Sequence, residues 1–499
     1  MPNLRVLSIA RRLKLGRVLS GSLPAFDKAP NLEFIALNGN ELSGSIPTTF
    51  AQSAAALRKV DISDNLLTGS VPESLDSKSR LELVAVENKL TGLSPKFCDN
   101  SDWMGGEVGT LGTCDTIMCP AGSSSPLGRT AHSSPPCRQC PDAEVAPPFF
   151  GQTSCDPPVD EHKVLMEVFE ELGGTNWHRR DFWGSNTDIC NWYGIGCDKG
   201  RVVLINLRAN NLVGKTPESL FELPELEVLI LSSNPIDFQF IGIGKAKNLL
   251  ELRVDSTATN SLTGIGEATK LTVLDASFND ITGPFPREIL EIPNLRTLLL
   301  RENQMSGELP SSWSTLRYLR ILRLDGNNFS GPVPAFPDSH ALAYIYLGGN
   351  GLDSTIPTNF LESTYTNQRI TIDLSSNKIT GAIPSSLVRF DDVTIYLRNN
   401  SIAHIPDPLC KKASWNNGDV GKFGCDGLLC GPGFSNAVGR RSEKSTECLP
   451  CSKLKGENQA FFGQTVCAFG KSSAPSMSHN FARLLMASLF SSAALMTFF

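Results

Sequence analysis

The sequence predicts an α/β solenoid, in which arrays of short repeats with a parallel inner sheet are closed by small disulfide-rich caps. The first observation is a motif that returns about every 24 residues through most of the 499-residue chain. The second is that apolar residues in each copy alternate with period two, which is typical of a half-buried strand. The third is that the 14 cysteines lie in clusters outside the copies. Because one short strand cannot bury its apolar face alone, the copies must stack on one another.

The motif, LxxLxLxxNxLxGxxP, is clearest in residues 202–400. In the copy LRTLLLRENQMSGELP, Leu298 and Leu300 point to one side of a strand and Leu299 points to the other. An asparagine follows each strand, where its side-chain amide can satisfy backbone groups of the turn. These turn positions, broken only by one threonine, are Asn210, Asn234, Thr257, Asn279, Asn303, Asn327, Asn350, Asn377 and Asn400.

These copies resemble the plant-type leucine-rich repeat. The resemblance rests on a GxIP-like element, in which a glycine and a proline three residues later turn the chain toward the outer wall. The element is present as Gly214/Pro217, Gly283/Pro286, Gly307/Pro310, Gly331/Pro334 and Gly381/Pro384. The resemblance implies a concave inner wall that presents a binding surface. The coils of Asn234 and Thr257 lack the element in register, so the path of their outer wall stays open.

The repeats and cysteine clusters divide the chain into six predicted segments. These are a first repeat array (1–97), a six-cysteine cap (98–155), an N-terminal cap (156–201), a second repeat array (202–409), a second six-cysteine cap (410–467) and a signal for a glycosylphosphatidylinositol (GPI) anchor (468–499). The first array starts in mid-coil, which leaves its first apolar face without cover. No signal-peptide pattern opens the chain. We therefore expect that Met1 is not the native start and that a signal peptide and a cap precede it.

Two cysteine clusters have nearly the same spacing and share the sequences FFGQTSC and FFGQTVC. Their members are Cys98, Cys114, Cys119, Cys137, Cys140 and Cys155, and Cys410, Cys425, Cys430, Cys448, Cys451 and Cys467. Each cluster contains one CxxC pair, which could indicate zinc, but the other gaps are too wide for a second pair. We therefore expect disulfides within each cluster, with about fifteen pairings open, and no metal or cofactor. Such cysteines indicate an oxidising compartment.

The segment between the arrays resembles the N-terminal cap of plant-type arrays, which implies a short helix and paired strands over the first coil. Apolar spacing predicts a helix over residues 160–172, ended by Gly173. Cys190 and Cys197 are expected to form a disulfide. Three tryptophans, Trp177, Trp183 and Trp192, form either the core of this cap or a carbohydrate platform, and the core is favoured.

The end of the chain predicts membrane attachment through a lipid. Small residues around Ser472, a polar spacer and an apolar run over residues 484–499 follow the order of a GPI signal. A transmembrane helix is the alternative, but the run is shorter than the roughly 18–20 residues of a membrane span. Two sequons, at Asn328 and Asn399, predict glycosylation if the chain is secreted. The expected location is the extracellular face of the plasma membrane.

Composition and motifs favour binding over catalysis. A net charge of −6 gives no indication of nucleic-acid binding, and the 6 histidines are far apart without an HExxH or GxSxG motif. No catalytic residue is therefore predicted. The best candidate site is a strip of outward strand positions, rich in aromatic and charged side chains of the kind favoured at interaction hot spots. The predicted strip is Arg301, Arg323, Asp325, Tyr344, Tyr346, Asp373, Tyr396 and Arg398.

The predicted function is recognition of an extracellular peptide, glycan or partner protein on the concave face. The resemblance to plant-type receptor proteins implies a membrane-spanning co-receptor, because no kinase signature follows the repeats. A different reading of the tyrosines is that they simply suit strands. In that case the protein is a structural or adhesive surface protein whose arrays act as spacers.

Overall fold

The structure is a computed structural model that describes residues 3–10, 19–141, 149–155, 159–451 and 461–467. It consists of two compact units, one formed by residues 1–282 with 286–304 and the other by residues 283–285 with 305–499. Both are built from leucine-rich repeat coils, as the sequence predicts. The predicted GPI signal and Ser472 lie outside the described residues.

In the first unit, each coil contributes one short inner strand that pairs in parallel with the strand of the next coil. The alternation works as expected, since Leu298 is fully buried while Thr297 and Leu299 on either side are half-buried. The inner strands are Val6–Ser8, Phe34–Ala36, Lys59–Asp61 and Glu82–Val84, followed later in the chain by Arg201–Asn206, Val228–Ile230, Glu251–Arg253, Val273–Asp275 and Thr297–Leu299.

In the second unit the same parallel arrangement continues with four inner strands in the described residues. They are Ile321–Arg323, Tyr344–Tyr346, Ile370–Asp373 and Val393–Tyr396. Buried aromatic rings support the outer wall, where Trp313 packs between Phe285 and Phe336 with ring centroids 5.1 and 5.4 Å away. The rings of successive coils therefore pack into one continuous apolar core.

The outer wall consists of shorter strands and single turns of 3₁₀ helix. The outer strands are Ser20–Ser22, Glu41–Ser45, Leu66–Ser70, Lys89–Gly92, Gly214–Lys215, Ile236–Asp237, Thr282–Gly283, Gln304–Glu308, Asn328–Gly331, Gly351–Leu352, Thr380–Ala382 and Ser401–His404. The 3₁₀ helices of the repeats are Glu73–Leu75, Glu218–Glu222, Ile243–Lys245, Ile265–Glu267, Arg287–Glu291 and Ser385–Arg389. In the coil of Asn234, the outer strand Ile236–Asp237 pairs with its neighbour although the GxIP element is absent.

The turn asparagines join successive coils through buried hydrogen bonds. Asn303 donates from Nδ2 to the carbonyl of Leu300 in its own coil and to that of Ala276 in the preceding coil, at 3.1 and 3.0 Å. Its Oδ1 accepts the backbone N–H of Ile281 at 3.1 Å. At the one exception, the hydroxyl of Thr257 donates to the carbonyl of Val254 at 3.0 Å. A shorter side chain thus makes part of the same network.

The residue before each turn asparagine has a left-handed backbone conformation, and so has the residue before Thr257; the turn asparagines of residues 1–97 are Asn40, Asn65 and Asn88. In the described coils its φ lies between 51° and 73°. Glycine adopts this region without steric cost, whereas other residues favour it only weakly. The residues in this position are Gly39, Asp64, Glu87, Ala209, Ser233, Ser256, Phe278, Glu302, Gly326, Gly349, Ser376 and Asn399.

The two cysteine segments, residues 98–155 and 410–467, contact the last coil before them through matching hydrogen bonds. In the first, Gly151 accepts the N–H of Glu87 and Thr153 donates its hydroxyl to the carboxylate of Glu87 at 2.5 Å. In the second, Gly463 accepts the N–H of Asn399 and Thr465 donates its hydroxyl to Oδ1 of Asn399 at 2.8 Å. Both segments therefore cover the end of a coil in the same way.

These segments contain short elements. They are the helices Glu107–Leu111 and Asp419–Phe423, the 3₁₀ helices Pro95–Asp99, Trp103–Gly106, Cys114–Thr116, Leu409–Lys411, Trp415–Gly418 and Gly424–Gly427, and the strands Ser123–Ser124, Arg138–Gln139, Phe434–Ser435 and Leu449–Pro450. The seven disulfides each join cysteines of one cluster: Cys98–Cys114, Cys119–Cys137, Cys140–Cys155, Cys190–Cys197, Cys410–Cys425, Cys430–Cys448 and Cys451–Cys467. The connectivity that the sequence leaves open is thus sequential in both segments.

Ahead of the second array, the helix Glu161–Glu171 lies close to the predicted 160–172 and ends where Gly173 takes φ 68°. After the 3₁₀ helices Gly174–Asn176 and Ile189–Asn191, the strand Ile195–Asp198 pairs antiparallel with Arg201–Asn206. Trp177, Trp183 and Trp192 are buried and pack against one another, so they form a core and not a platform. Within the described ranges, none of the helices combines the length and apolar character that a membrane crossing needs.

Candidate functional site

The second unit brings seven of the eight predicted site residues onto or next to its inner strands. Arg323 is the best-defined member. Its guanidinium lies 4.6 Å from the ring centroid of Tyr346 on the next strand and donates two hydrogen bonds, both 3.1 Å, to the carboxylate of Asp325. Such paired contacts hold a long side chain in one orientation. We call Arg323, Asp325, Tyr344, Tyr346, Asp373, Tyr396 and Arg398 the second-unit strip.

The tyrosines of this strip are half-buried: Tyr344 and Tyr346 lie on one strand, and Tyr396 lies on the second strand beyond it, with Ile370–Asp373 between them. A tyrosine hydroxyl is protonated at neutral pH and can donate a hydrogen bond, and partial burial raises the pKa of Tyr346 further above its ordinary value. Asp373 accepts hydrogen bonds from the backbone N–H and the hydroxyl of Ser375 at 2.9 and 2.6 Å. The strip therefore offers flat apolar faces beside oriented polar groups.

The second cysteine segment contributes a residue that sequence reasoning missed. The guanidinium of Arg440 lies 5.6 Å from the ring centroid of Tyr396 and is held by the carboxylate of Asp419 at 2.7 Å. The first segment has an equivalent pair, Arg129 with Glu107. An alignment of the two segments would have shown that both carry an arginine and an acidic residue at matching positions. Tyr396 is thus packed against the cysteine segment, while the neighbouring Arg398 is exposed.

Arg301, the eighth predicted residue, belongs to the first unit. There its guanidinium lies 4.8 Å from the ring centroid of Phe278, which is 38% exposed and occupies a left-handed position. Phe278 was not among the predicted site residues. Its position could have been noticed in the sequence, because a large aromatic residue stands immediately before a turn asparagine.

Polar side chains on the inner strands of the first unit largely satisfy one another. Ser232 donates to Asp255 and Arg253 donates to Glu251, both at 2.5 Å. Burial, followed by repulsion from Asp255, raises the pKa of Asp275 above its ordinary value. These groups have fewer free donors and acceptors for a ligand than the exposed Arg398 of the second unit.

The two sequons differ in their surroundings. Asn328 is exposed on the outer strand Asn328–Gly331. Asn399 is exposed as well, but its side-chain oxygen accepts the hydroxyl of Thr465. Among the described residues, no three histidine, cysteine, aspartate or glutamate side chains are grouped so that they could hold a metal ion.

The repeats are similar to those of known plant proteins. A family model described as Leucine Rich Repeat matches residues 56–77, 294–316 and 370–390. Phytosulfokine receptor 1 of Arabidopsis thaliana is 44% identical over 84 residues, 16% of this chain and 8% of that protein. The receptor-like protein Cf-9 homolog of Solanum lycopersicum is 44% identical over 63 residues, 12% of this chain and 8% of that protein. The chain therefore matches less than a tenth of the length of either relative.

Among solved structures, the crystal structure of PEPR1-AtPEP1 covers 83% of this chain and 44% of that chain, at 20% sequence identity and a TM-score of 0.39. Its low identity and score leave the fold to be judged from the coils themselves. The parallel inner strands, the turn asparagines and the matched repeat segments all indicate the same fold. The chain therefore has the leucine-rich repeat fold, and segments of it are similar to plant receptors and receptor-like proteins.

Proposed function

We propose that the protein is a cell-surface leucine-rich repeat protein that binds an extracellular peptide, glycan or partner protein through its second-unit strip. The observation that carries this proposal is the pair of contacts made by Arg323, which lies over Tyr346 and is fixed by Asp325. Rigid aromatic and arginine side chains provide contact area with little loss of conformational entropy, which is why they dominate binding energies.

The cysteines support an extracellular location for this activity. All seven disulfides join cysteines close in sequence, and the described residues contain no free cysteine. Disulfides of this density persist outside the reducing cytosol. The sequence similarity to plant receptors and receptor-like proteins supports the same class of function.

The experiment is a binding screen of the purified protein on peptide and glycan arrays, followed by alanine substitutions in the strip. We expect Tyr346→Ala and Tyr344→Ala to weaken the selected interaction by at least about tenfold, since buried aromatic contacts at hot spots exceed about 1.4 kcal/mol. Tyr365→Ala is the matched control, because Tyr365 is in the same unit, is 57% exposed and lies outside the strip.

The opposite result has a definite meaning. Interactions that are insensitive to the strip variants, or equally sensitive to Tyr365→Ala, would contradict a ligand site on these strands. They would instead support the structural or adhesive function, in which the arrays act as spacers.

Three further features belong to the proposal. The protein is attached by a GPI anchor at Ser472, so a membrane-spanning co-receptor carries any signal inward. The predicted segments 1–97, 98–155, 156–201, 202–409, 410–467 and 468–499 serve as two arrays with their caps and the anchor signal. Asn328 and Asn399 carry glycans, and the exposure of both side chains supports this assignment.

A further inference from the structure

A shallow cavity of about 550 Å³ lies in the first unit beside the buried tryptophans. Its lining residues are Arg179, Asp181, Phe182, Asn191 and Tyr193. This volume falls within the range of roughly 300–1,000 Å³ that is usual for ligand sites. None of these residues belongs to the strip proposed above, so the cavity is a separate candidate.

The tryptophan core fixes the frame of this cavity. Trp183 is buried, and its indole N–H donates to the carbonyl of Tyr193 at 2.9 Å. The backbone N–H of Tyr193 donates in turn to the carbonyl of Asp181 at 3.0 Å. These bonds hold together the two chain segments that carry the lining side chains. The cavity is therefore formed in advance of any ligand.

Phe182 is the exposed aromatic residue of the cavity lining. Its side chain is 55% exposed, next to the buried Trp183, and its backbone has φ 68°. The left-handed region is unfavourable for a residue with a Cβ atom, and phenylalanine has no polar group to offset the cost by a local hydrogen bond. An exposed flat ring is the one feature of Phe182 that a ligand can use.

The polar groups of the cavity form a neutral set. The guanidinium of Arg179 lies 3.9 Å from the ring centroid of Tyr193 and 3.3 Å from the carboxylate of Asp181. The charges of Arg179 and Asp181 offset each other. Arginine supplies N–H donors, aspartate supplies acceptors and the amide of Asn191 supplies both. A ligand with many hydroxyl groups and no net charge matches this set.

We propose that this cavity binds a neutral oligosaccharide, with one sugar ring stacked on Phe182 and its hydroxyls bonded to Arg179, Asp181 and Asn191. Sugars combine apolar C–H faces with hydroxyls at their edges, which corresponds to the aromatic and polar parts of the lining. An acidic sugar fits less well, because Asp181 already pairs with Arg179. The lining residues lie outside the strands, so the cavity offers no sheet edge of the kind that pairs with an extended peptide.

The test is calorimetric titration of the full-length protein with cellohexaose, xylohexaose, mannohexaose and chitohexaose. At least one of these probes should bind the wild type, and Phe182→Ala and Phe182→Gly should each weaken that binding by about tenfold or more. Phe182→Gly should also leave the melting temperature unchanged or raised, because glycine tolerates φ 68°. Tyr318→Ala is the control, since Tyr318 is also 55% exposed but lies in the other unit.

Other outcomes would overturn the proposal. They are failure of all four neutral probes to bind, equal binding by the wild type and Phe182→Ala, or equal loss in Tyr318→Ala. Binding of hexagalacturonic acid or of members of a peptide library, lost on Phe182→Ala in the absence of neutral-sugar binding, would assign the cavity to a different ligand class. A melting temperature that falls in Phe182→Gly together with binding would indicate a structural role for the ring.

Discussion

At the scale of single residues, the turn asparagines determine how one coil joins the next. The side chain of Asn303 satisfies a backbone N–H and two carbonyls within the first unit. Asn303→Ala removes all three hydrogen bonds and takes away the acceptor of the buried Ile281 N–H, so we expect a loss of about 2–4 kcal/mol in the free energy of unfolding. Urea denaturation measures the loss, and faster hydrogen exchange at the Ile281 amide localises it.

Thr257, which replaces the turn asparagine in one coil, allows the contribution of the side-chain amide to be compared with that of a hydroxyl. Thr257 makes part of the same network with one hydroxyl. Thr257→Ala should therefore cost less, about 1 kcal/mol. An equal or larger loss in Thr257→Ala than in Asn303→Ala would mean that the side-chain amides do not dominate the junction between coils.

The left-handed position before each turn asparagine gives a second prediction. Ser256 has φ 57° and is exposed. Ser256→Gly should stabilise the protein by about 0.5–1 kcal/mol, because glycine removes the steric cost but adds chain entropy to the unfolded state. Gly326→Ala, the reverse change at an equivalent position with φ 70°, should destabilise it. The melting temperatures of the two variants, with Ser256→Ala as control, should move in opposite directions, and a shift of the same sign would contradict the prediction.

A buried lysine gives a pH dependence. Lys78 is 7% exposed, and its Nζ donates to the carbonyl of Ala54 at 2.8 Å. Burial lowers the pKa of Lys78 below its ordinary value. The unfolded chain then binds more protons than the folded chain between the lowered pKa and about 10.5, so stability rises with pH across that window. Lys78→Met should stabilise the protein by about 1–2 kcal/mol at pH 7, with a difference that shrinks as the pH approaches 10.5.

Urea denaturation of wild type and Lys78→Met at several pH values checks this expectation. Other groups titrate in both proteins, so the difference between the two curves is the relevant quantity. A difference that stays constant from about pH 7 to 10.5 would show that folding does not change the pKa of Lys78, as for an amine that stays fully solvated.

The sequence predicted the turn asparagines and strand alternation because both depend on local spacing. The sequence did not predict the left-handed conformation of the residue before each turn position. Glycine occupies this position in three coils, as Gly39, Gly326 and Gly349, but nine other coils have a different residue there. The sequence also missed Phe182, whose importance comes from a backbone angle, and Arg440, which reaches Tyr396 from a separate segment. Such contacts depend on the path of the chain and not on a motif.

At the scale of elements, the outer wall departs most from the repeat pattern. The coil of Asn234 lacks the glycine and proline element, yet its outer strand Ile236–Asp237 forms and a 3₁₀ helix follows at Ile243–Lys245. The inner strand and the hydrogen bonds of Asn234 fix both ends of the turn. Pairing with a neighbouring coil can therefore form an outer strand even where the sequence motif is absent.

The cysteine segments give a prediction at this scale. Thr465→Val keeps the shape of the side chain but removes the hydroxyl that bonds to Asn399. We expect a loss of about 1 kcal/mol and faster hydrogen exchange at the Asn399 amide, which bonds to Gly463. The matched variant, Thr153→Val, should cost more, about 1.5–3 kcal/mol, because its acceptor on Glu87 is a carboxylate. Unchanged amide exchange in both variants would mean that these hydroxyls do not hold the segments in place.

At the scale of the whole molecule, the anchor decides where recognition takes place. If Ser472 or a neighbouring residue carries a GPI anchor, the apolar run 484–499 is removed from the mature protein. Phosphatidylinositol-specific phospholipase should then release the protein from intact cells, and truncation before Leu484 should send it into the medium. A control variant with changes in the polar spacer alone should remain attached. Retention after phospholipase treatment, with a peptide from 484–499 still present, would show a membrane helix.

The matching contacts of the two cysteine segments have a consequence for how such proteins grow. Each segment contacts a coil through backbone groups and one threonine, and the acceptor can be either Glu87 or Asn399. Because the contacts use backbone groups and one hydroxyl, they place few demands on the sequence of the coil that receives them. A duplication that copied coils together with such a segment would therefore supply the new coils with a cover for their last apolar face.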